Sequence, residues 1–135
     1  VDQEVATQTN RIKVIALEVV AGTGGPQKAK ITLEVDGRNE TREATGDGPV
    51  DATFKAIKAI VPHEARLPLY QVMAVTEGTD APAEVMVRLE EDGRQGTGRG
   101  SDTDTMGASA RAYVAALNKL MMKRQRGPAA QMMVS

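Results

Sequence analysis

The residues best suited to bind a small ligand lie at the starts of two predicted helices, each entered from a glycine-rich turn. The aspartates at these two helix starts are Asp47, Asp51, Asp102 and Asp104. Unpaired N–H groups at a helix N-terminus attract a carboxylate, and a nearby aspartate attracts an ammonium group. A zwitterionic amino acid carries both groups, so the two helix starts form a candidate amino-acid site. The alternative is that each aspartate only caps its own helix, which is the commoner role at such a position.

Three glycines at alternate positions, Gly96, Gly98 and Gly100, suggest a nucleotide-binding loop. A dinucleotide fingerprint would need a further glycine where Ser101 or Thr103 stands. A phosphate-binding loop would need a lysine followed by serine or threonine after its last glycine. The sequence therefore contains neither fingerprint.

No set of residues indicates catalysis or metal binding. His63 is the single histidine and cysteine is absent, so no shared metal site is predicted and His63 is interpreted as a solvated loop residue. A calcium loop that starts at Asp102 would need an acidic twelfth residue, where Tyr113 stands. Glu90 and Glu91 are interpreted as solvated carboxylates at a strand end. We expect no catalytic residue, metal or cofactor in this chain.

Composition narrows the class of protein further. The chain has 135 residues, 18 of them acidic and 17 basic, with a formal net charge of −1. This balance excludes a strongly basic binder of nucleic acid or membrane surfaces. No apolar run approaches the length of a membrane span, and the lack of cysteine fits a reducing cytoplasm. We expect a cytoplasmic protein with neither nucleic acid nor a membrane as its partner.

The first half of the chain reads as three strands followed by a helix. Residues 12–20 are nearly all apolar, as in a strand that is covered on both faces or lies at an oligomer contact. Residues 30–36 alternate between polar and apolar, and Asp36-Gly37 is a hairpin signal that leads into a polar strand over residues 38–45. Pro49 suits the first position of a helix, which Pro62 ends.

The second half repeats this order. Asp36, Gly37 and Arg38 correspond to Asp92, Gly93 and Arg94, at an offset of 56 residues. A strand is predicted over residues 69–76, an alternating strand follows through residues 85–89, and a second helix starts near Thr105. The predicted fold is α+β, with two pseudo-twofold-related βββα units in one domain and sheets packed against two helices.

These boundaries divide the chain into three parts. Residues 1–11 are predicted to be a linker from a missing part of a longer protein, because the chain begins with a polar stretch and with Val1 rather than methionine. Residues 12–123 form the domain, with one repeat at about 12–62 and the other at about 67–123. Residues 124–135 are expected to be a flexible tail.

Three runs of the sequence carry a resemblance to a known family. They are GDGPVDATFKAI (46–57), AVTEGTDAPAEVMVRLEEDGR (74–94) and GRGSDTDTMGASARAYVAALNKL (98–120). Over residues 12–123 the chain resembles the C-terminal regulatory domain of 2-isopropylmalate synthase. The third run is the most specific, because it joins a glycine-rich strand to a helix through DTD and ASARAY.

The resemblance implies a regulatory role rather than catalysis. A parent enzyme of this family condenses acetyl-CoA with 2-oxoisovalerate in leucine biosynthesis, and holds a divalent metal in a barrel domain whose ligands this chain lacks. The resemblance also implies that residues 1–11 are a linker from a missing catalytic part. It further implies homodimerisation and feedback inhibition by bound leucine. Matched by motif, the expected effector-binding residues are Gly48, Pro49, Val50, Tyr70, Ala74, Ala81, Asp104 and Thr105.

Two alternatives stay open. The regulatory domain of citramalate synthase is similar and responds to isoleucine, which differs from leucine in the position of one methyl group. The chain could also be a dimerisation module that has lost effector binding. On every one of these interpretations the fragment itself is inactive, and its parent would be an acyltransferase.

Overall fold

The computed structural model describes residues 11–73 and 82–134, with side chains described up to residue 123. It contains six strands and two helices in these ranges. In chain order they are β1 (Ile12–Val20), β2 (Gln27–Val35), β3 (Arg38–Gly46), α1 (Pro49–Ile60), β4 (Arg66–Met73), β5 (Ala83–Glu91), β6 (Arg94–Asp102) and α2 (Thr105–Val134). This order is two βββα units, as predicted.

Each unit forms a three-stranded antiparallel sheet in sequence order, β1-β2-β3 and β4-β5-β6. The predicted Asp-Gly hairpins are confirmed. Asp36 and Gly37 have φ of 51° and 87°, and Asp92 and Gly93 have φ of 52° and 77°. Both central residues of a type I′ turn need positive φ, which aspartate tolerates and glycine adopts freely. The repeated Asp-Gly motif of the sequence therefore forms the same type of hairpin turn in both units.

The start of β4 was predicted wrongly. The strand begins at Arg66 instead of residue 69, and its predicted end at residue 76 lies outside the described residues. Pro68 lies inside the strand, at a register shift between Arg66 and Leu69. An outer strand with a bulge tolerates proline because the missing N–H is not needed for the ladder there.

The two helices begin where the sequence predicts. Pro49 is the first residue of α1, and α1 ends at Ile60, two residues before Pro62. The second helix starts at Thr105, and its apolar residues Ala110, Val114 and Leu117 are buried, while Met121 is partly buried against the core. Its helical backbone extends to Val134, and the flexibility expected of residues 124–135 stays a prediction.

The alternating glycines of β6 bring this strand unusually close to α2. A Cβ added at Gly98 would lie 2.2 Å from the backbone N of Ala116 and 2.4 Å from the carbonyl O of Ala112. Gly96 and Gly100 face α2 in the same way. Glycine is required here because no side chain fits between the strand and the helix backbone. The glycine motif thus has a packing role in this fold.

The helices and the inner sheet faces share one hydrophobic core. Ile31 and Leu33 of β2 contribute to it with Val85, Val87 and Leu89 of β5, all fully buried. This confirms an α+β domain of two βββα units with sheets packed against two helices. Within the described ranges, no helix has both the length and the apolar character needed to span a membrane.

Candidate functional site

No side chain in the described part of the chain caps the N-terminus of α1. Gly48 is the N-cap residue, with extended φ and ψ of −154° and 175°, and its carbonyl O accepts the first helical hydrogen bond from Ala52 at 2.9 Å. Pro49 has no N–H, so Val50 and Asp51 supply the backbone N–H groups that precede this bond. Helices leave such groups without an internal partner, and they carry the positive end of the helix dipole. This end of α1 can accept an anion.

Asp51 stabilises the turn that leads into α1. Its Oδ2 accepts the backbone N–H of Asp47 at 2.9 Å and lies 3.1 Å from the Nζ of Lys55. The hydrogen bond from Asp47, followed by the one from Lys55, lowers the pKa of the Asp51 carboxyl. Asp51 therefore stays ionised and bonded within the turn. Among the described residues, the Asp47 carboxylate at this helix start takes part in no hydrogen bond or ion pair.

The N-terminus of α2 is capped by its own aspartates. Asp104 Oδ2 accepts the N–H of Gly107 at 3.3 Å, in the manner of an N-cap residue. Asp102 accepts the N–H of Asp104 at 3.1 Å and lies 3.2 Å from the Nε of Arg111. These contacts, led by the Asp104 N–H, lower the pKa of Asp102. The capping interpretation thus holds for α2, and the two helix starts differ.

Tyr70 connects the beginnings of the two helices. Its hydroxyl lies 2.8 Å from Ser109 Oγ, and Ser109 Oγ donates to the carbonyl O of Thr105 at 2.8 Å. Because the serine proton is used on Thr105, the Tyr70 hydroxyl donates to Ser109. The Tyr70 ring meets Phe54 of α1 edge-on, with ring centroids 5.8 Å apart. A substitution or a movement of Tyr70 would therefore alter contacts with both helices.

A second set of buried aromatic contacts continues from Phe54. Phe54 lies 4.3 Å from Tyr113 between ring centroids, and the Tyr113 hydroxyl lies 2.9 Å from His63 Nε2. His63 Nδ1 accepts the N–H of Ala65 at 3.1 Å, so the neutral ring carries its proton on Nε2 and donates to Tyr113. Burial raises the pKa of Tyr113 to about 12.

Two polar residues were interpreted wrongly as solvated. His63 is only 5% exposed, because Tyr113 and the turn that follows α1 enclose it. Glu91 is also buried, and its Oε2 accepts the N–H of Glu64 at 2.9 Å. Both residues lie where the connector after α1 meets the second sheet. The sequence gives no periodic signal for such a contact, because the partners are distant in the chain.

The structure places the predicted site residues unevenly. Gly48, Pro49 and Val50 are half-buried at the start of α1, and Tyr70 is half-buried on β4. The exposed positions at the start of α2 are Asp104 and Thr105. The remaining two predicted residues, Ala74 and Ala81, lie outside the described residues.

The predicted residues are brought together indirectly. Within the described part of the chain, no hydrogen bond or ion pair links Asp104 or Thr105 to the start of α1; Tyr70 links them through Ser109 and Phe54. The prediction missed both of these linking residues. The signal for Ser109 is its equivalence to Thr53 at the repeat offset, since each hydroxyl donates to the carbonyl four residues earlier.

The chemistry of these groups is that of binding. Among residues 11–73 and 82–134, no three histidine, cysteine, aspartate or glutamate side chains lie close enough to hold a metal ion. Unpaired N–H groups beside half-buried apolar and aromatic side chains suit a small molecule that has an anionic group and an apolar body.

Comparison with known proteins identifies the family. A family model described as the LeuA allosteric (dimerisation) domain matches residues 1–121. The chain is 61% identical over 130 residues to a 2-isopropylmalate synthase of Rhodopseudomonas palustris strain BisA53, covering 96% of this chain and 25% of the relative. It is 61% identical over 126 residues to the 2-isopropylmalate synthase of Bradyrhizobium diazoefficiens, covering 93% and 24%.

The same relationship extends to other bacteria. A 2-isopropylmalate synthase of Methylobacterium nodulans is 60% identical over 121 residues, which are 90% of this chain and 23% of the relative. The chain thus spans about a quarter of the length of these curated relatives. Because the family model covers nearly the whole sequence, the chain belongs to the LeuA allosteric (dimerisation) domain family.

Proposed function

We propose that this chain is the leucine-binding regulatory domain of a cytoplasmic 2-isopropylmalate synthase, in which it mediates dimerisation and feedback inhibition. The parent would condense acetyl-CoA with 2-oxoisovalerate, using a divalent metal held in a separate catalytic domain. Family membership and about 60% identity to 2-isopropylmalate synthases support this proposal. The fragment would itself be inactive and would act only on the catalytic part of its parent.

The open N-terminus of α1 is the observation that carries the binding part of the proposal. The effector carboxylate would accept the N–H groups of Val50 and Asp51, because these precede the first helical bond and the helix dipole favours an anion there. The ammonium group would face Oδ1 of the exposed Asp104 carboxylate, whose Oδ2 caps α2.

The apolar side of the site would be formed by Tyr70 together with the small residues Ala74 and Ala81. Full burial of a leucine side chain contributes roughly 1.5 to 3 kcal/mol. Small side chains leave room for a branched aliphatic group, and Tyr70 supplies a flat wall already held by Ser109 and Phe54. A branched-chain amino acid fits this description better than a larger or charged one.

Dimerisation would cover apolar surface that a single chain leaves exposed. Ile15 and Val20 of β1 are 50% and 56% exposed, and Leu67 and Val72 of β4 are 41% and 47% exposed. These strands occupy equivalent positions in the two units. Exposed apolar side chains on outer strands are a feature of association surfaces, which supports a second copy of this chain as a partner.

Feedback inhibition would use the connection between the two helix starts. A bound amino acid against Tyr70 would act on α1 through Phe54 and on α2 through Ser109. Leucine must favour one arrangement of the dimer over another, because equal affinity for both would shift nothing. Coupling free energies between such sites are typically about 1 to 3 kcal/mol.

The replacement Gly48→Asp tests the proposed carboxylate position. A Cβ at Gly48 would meet no atom within 4 Å, and the extended backbone there suits any residue. Aspartate is also a favourable N-cap, so the variant should fold normally. We expect it to abolish leucine binding, measured by calorimetry, because its carboxylate would occupy the anion position.

The matched control is Gly22→Asp, which adds the same side chain at another open glycine, in the turn after β1. The control should bind leucine as the unmodified chain does. Equal leucine affinity in the two variants would refute the assignment of the site to the start of α1.

A further inference from the structure

A groove of about 640 Å³ lies between the two sheets, and its lining residues include none of the predicted effector-binding residues. Residues 12–15 of β1 form one wall, residues 99–101 of β6 form the other, and α2 forms the floor. Both β1 and β6 are outer strands of their sheets. Within the described residues, each three-stranded sheet therefore ends at this groove with an edge that pairs with no other strand.

One residue on the edge of β1 is already paired, because a side-chain amide binds its backbone N–H and carbonyl groups as a neighbouring strand would. The N–H of Ile12 donates to Asn118 Oδ1 at 2.9 Å, and Asn118 Nδ2 donates to the carbonyl O of Ile12 at 2.9 Å. This reciprocal pair has the pattern of one rung of an antiparallel ladder. In a strand, the outward-facing backbone groups recur at every second residue. Those of Val14, the last paired residue before the register shift between Val14 and Ala16, therefore face the groove next.

The edge of β6 faces the groove in the same manner. The hairpin at Asp92-Gly93 makes Glu91 and Arg94 a hydrogen-bonded pair, so the backbone groups of Arg99 and Ser101 point away from β5. The carbonyl O of Gln95 belongs to this outward set, and it accepts a hydrogen bond from Lys123 Nζ. Beyond that contact, two strand edges with backbone donors and acceptors face each other across the groove.

The groove is basic. Lys13, Arg99, Arg111 and Lys119 all line it, and none of its lining residues is acidic. Lys13 lies 3.9 Å from Glu34 and Arg111 lies 3.2 Å from Asp102. Arg99 and Lys119 take part in no ion pair among the described residues. The floor between these cations is apolar, with Val114 and Ala115.

We infer that this groove binds an extended acidic peptide segment, which pairs as a strand with the edges of β1 and β6. Backbone pairing would supply the affinity, as in other cases of strand addition to a sheet edge. The cations would select carboxylates on the segment, and Val114 and Ala115 would contact its apolar side chains. Such a segment would join the two three-stranded sheets across α2.

The test uses three labelled peptides and the 135-residue chain, with fluorescence anisotropy as the readout. The first is a short peptide in which glutamate and valine alternate, and we expect saturable binding. In the second, lysine replaces each glutamate, and in the third the backbone amides are N-methylated. Both changes should abolish binding, because the second removes the charge match and the third removes the strand donors.

Charge reversal assigns binding to the groove. Arg99→Glu combined with Lys119→Glu should weaken the acidic peptide about tenfold or more. Lys58→Glu, an exposed position on α1, is the matched control and should leave the affinity unchanged. Circular dichroism melting of each variant checks that the fold is intact.

Three outcomes would overturn the inference. The first is the absence of saturable binding by the acidic peptide. The second is equal binding of the lysine or N-methylated peptide, which would exclude charge selection or strand pairing even if the charge-reversed variant failed to fold. The third is dissociation of a dimer by charge reversal, seen by sedimentation without any peptide, which would assign the groove to a second copy of the chain.

Discussion

The hydroxyl of Tyr113 shows how a single buried group ties stability to pH. Its pKa is raised by burial from 10.0 to about 12, so the folded state holds the phenol proton more tightly than the unfolded state does. Stability from this group is complete below pH 10 and is lost as the pH rises from about 10 to about 12. The full loss corresponds to roughly 2 to 3 kcal/mol.

We therefore expect Tyr113→Phe to flatten the alkaline part of the stability profile. Near neutral pH the variant should be less stable by about 1 to 3 kcal/mol, because His63 Nε2 loses its buried partner. Between pH 10 and pH 12 it should lose less stability than the unmodified chain. Urea unfolding across this range measures both effects, and parallel profiles for the two proteins would contradict the assigned cause.

Residue-level prediction worked where a pattern is local. The Asp-Gly turns, Pro49 at the start of α1 and the capping by Asp104 follow from short-range rules, and the structure agrees. His63 was misjudged because its partner lies 50 residues away. Its burial depends on packing that no local pattern encodes.

At the scale of elements, β6 packs closely against α2 because glycines on the strand face alanines on the helix. The glycines of β6 lie against Ala108, Ala112 and Ala116, which are spaced four residues apart and are fully buried. The sequence shows both patterns separately. Their match could not be predicted, because it requires knowing which face of the strand meets which face of the helix.

The replacement Gly98→Ala tests this contact. Its Cβ would lie within 2.4 Å of backbone atoms of Ala112 and Ala116, which cannot move aside without shifting the helix. We expect a loss of about 3 kcal/mol or more in the free energy of unfolding. Gly25→Ala is the control, with no atom within 4 Å of the new Cβ, and should change stability by less than about 0.5 kcal/mol. Similar stability of both variants in thermal melts would refute the packing role.

Each unit has one aspartate carboxylate beside a glycine at the start of its helix, but the aspartate comes from the helix in one unit and from the preceding strand in the other. In the first unit Asp51 of α1 reaches back, and a Cβ at Gly46 would lie 2.6 Å from its Oδ2. In the second unit Asp102 of β6 reaches forward, and a Cβ at Gly107 would lie 2.6 Å from its Oδ2. At the repeat offset Gly46 matches Asp102 and Asp51 matches Gly107. The acid and the glycine have thus exchanged positions.

This exchange predicts a rescue. Asp102→Gly should destabilise the domain, because Arg111 and the N–H of Asp104 lose their partner. Adding Gly107→Asp should restore much of the loss, since the new carboxylate would reach Arg111 as Asp51 reaches Lys55. Thermal melts of the single and double variants at neutral pH measure the effect, and a double variant no more stable than Asp102→Gly would contradict it.

The rescue should also depend on pH. Because the folded pKa of Asp102 is lowered, its contribution is present above about pH 4, the ordinary aspartate value, and is lost as the pH falls through the folded pKa. The stability difference between Asp102→Gly and the unmodified chain should therefore shrink in acid. An acid-independent difference would indicate a loss of packing instead of charge.

At the scale of the whole molecule, the fold was predictable and the site only partly so. The duplication, the strand order and the helix starts follow from spacing and turn residues. The asymmetry between the helix starts does not, since both contain glycine and aspartate. Only the contacts show that the carboxylates of α2 cap their own helix while α1 stays open.

That asymmetry turns two similar units into a domain with one proposed anion position. Tyr70 then links this position to both helices, through Phe54 on α1 and Ser109 on α2. A domain in which one ligand contacts both repeats can change the relation between them. This is the physical basis for the proposed regulatory role.

Calorimetric titration of this chain with leucine tests the central claim most directly, with isoleucine and valine as comparison ligands and sedimentation to establish that the chain is a folded dimer. The account predicts saturable binding with a preference for leucine. A preference for isoleucine would assign the domain to a citramalate synthase. No binding of any of the three by a folded dimer would leave a dimerisation module and contradict the account.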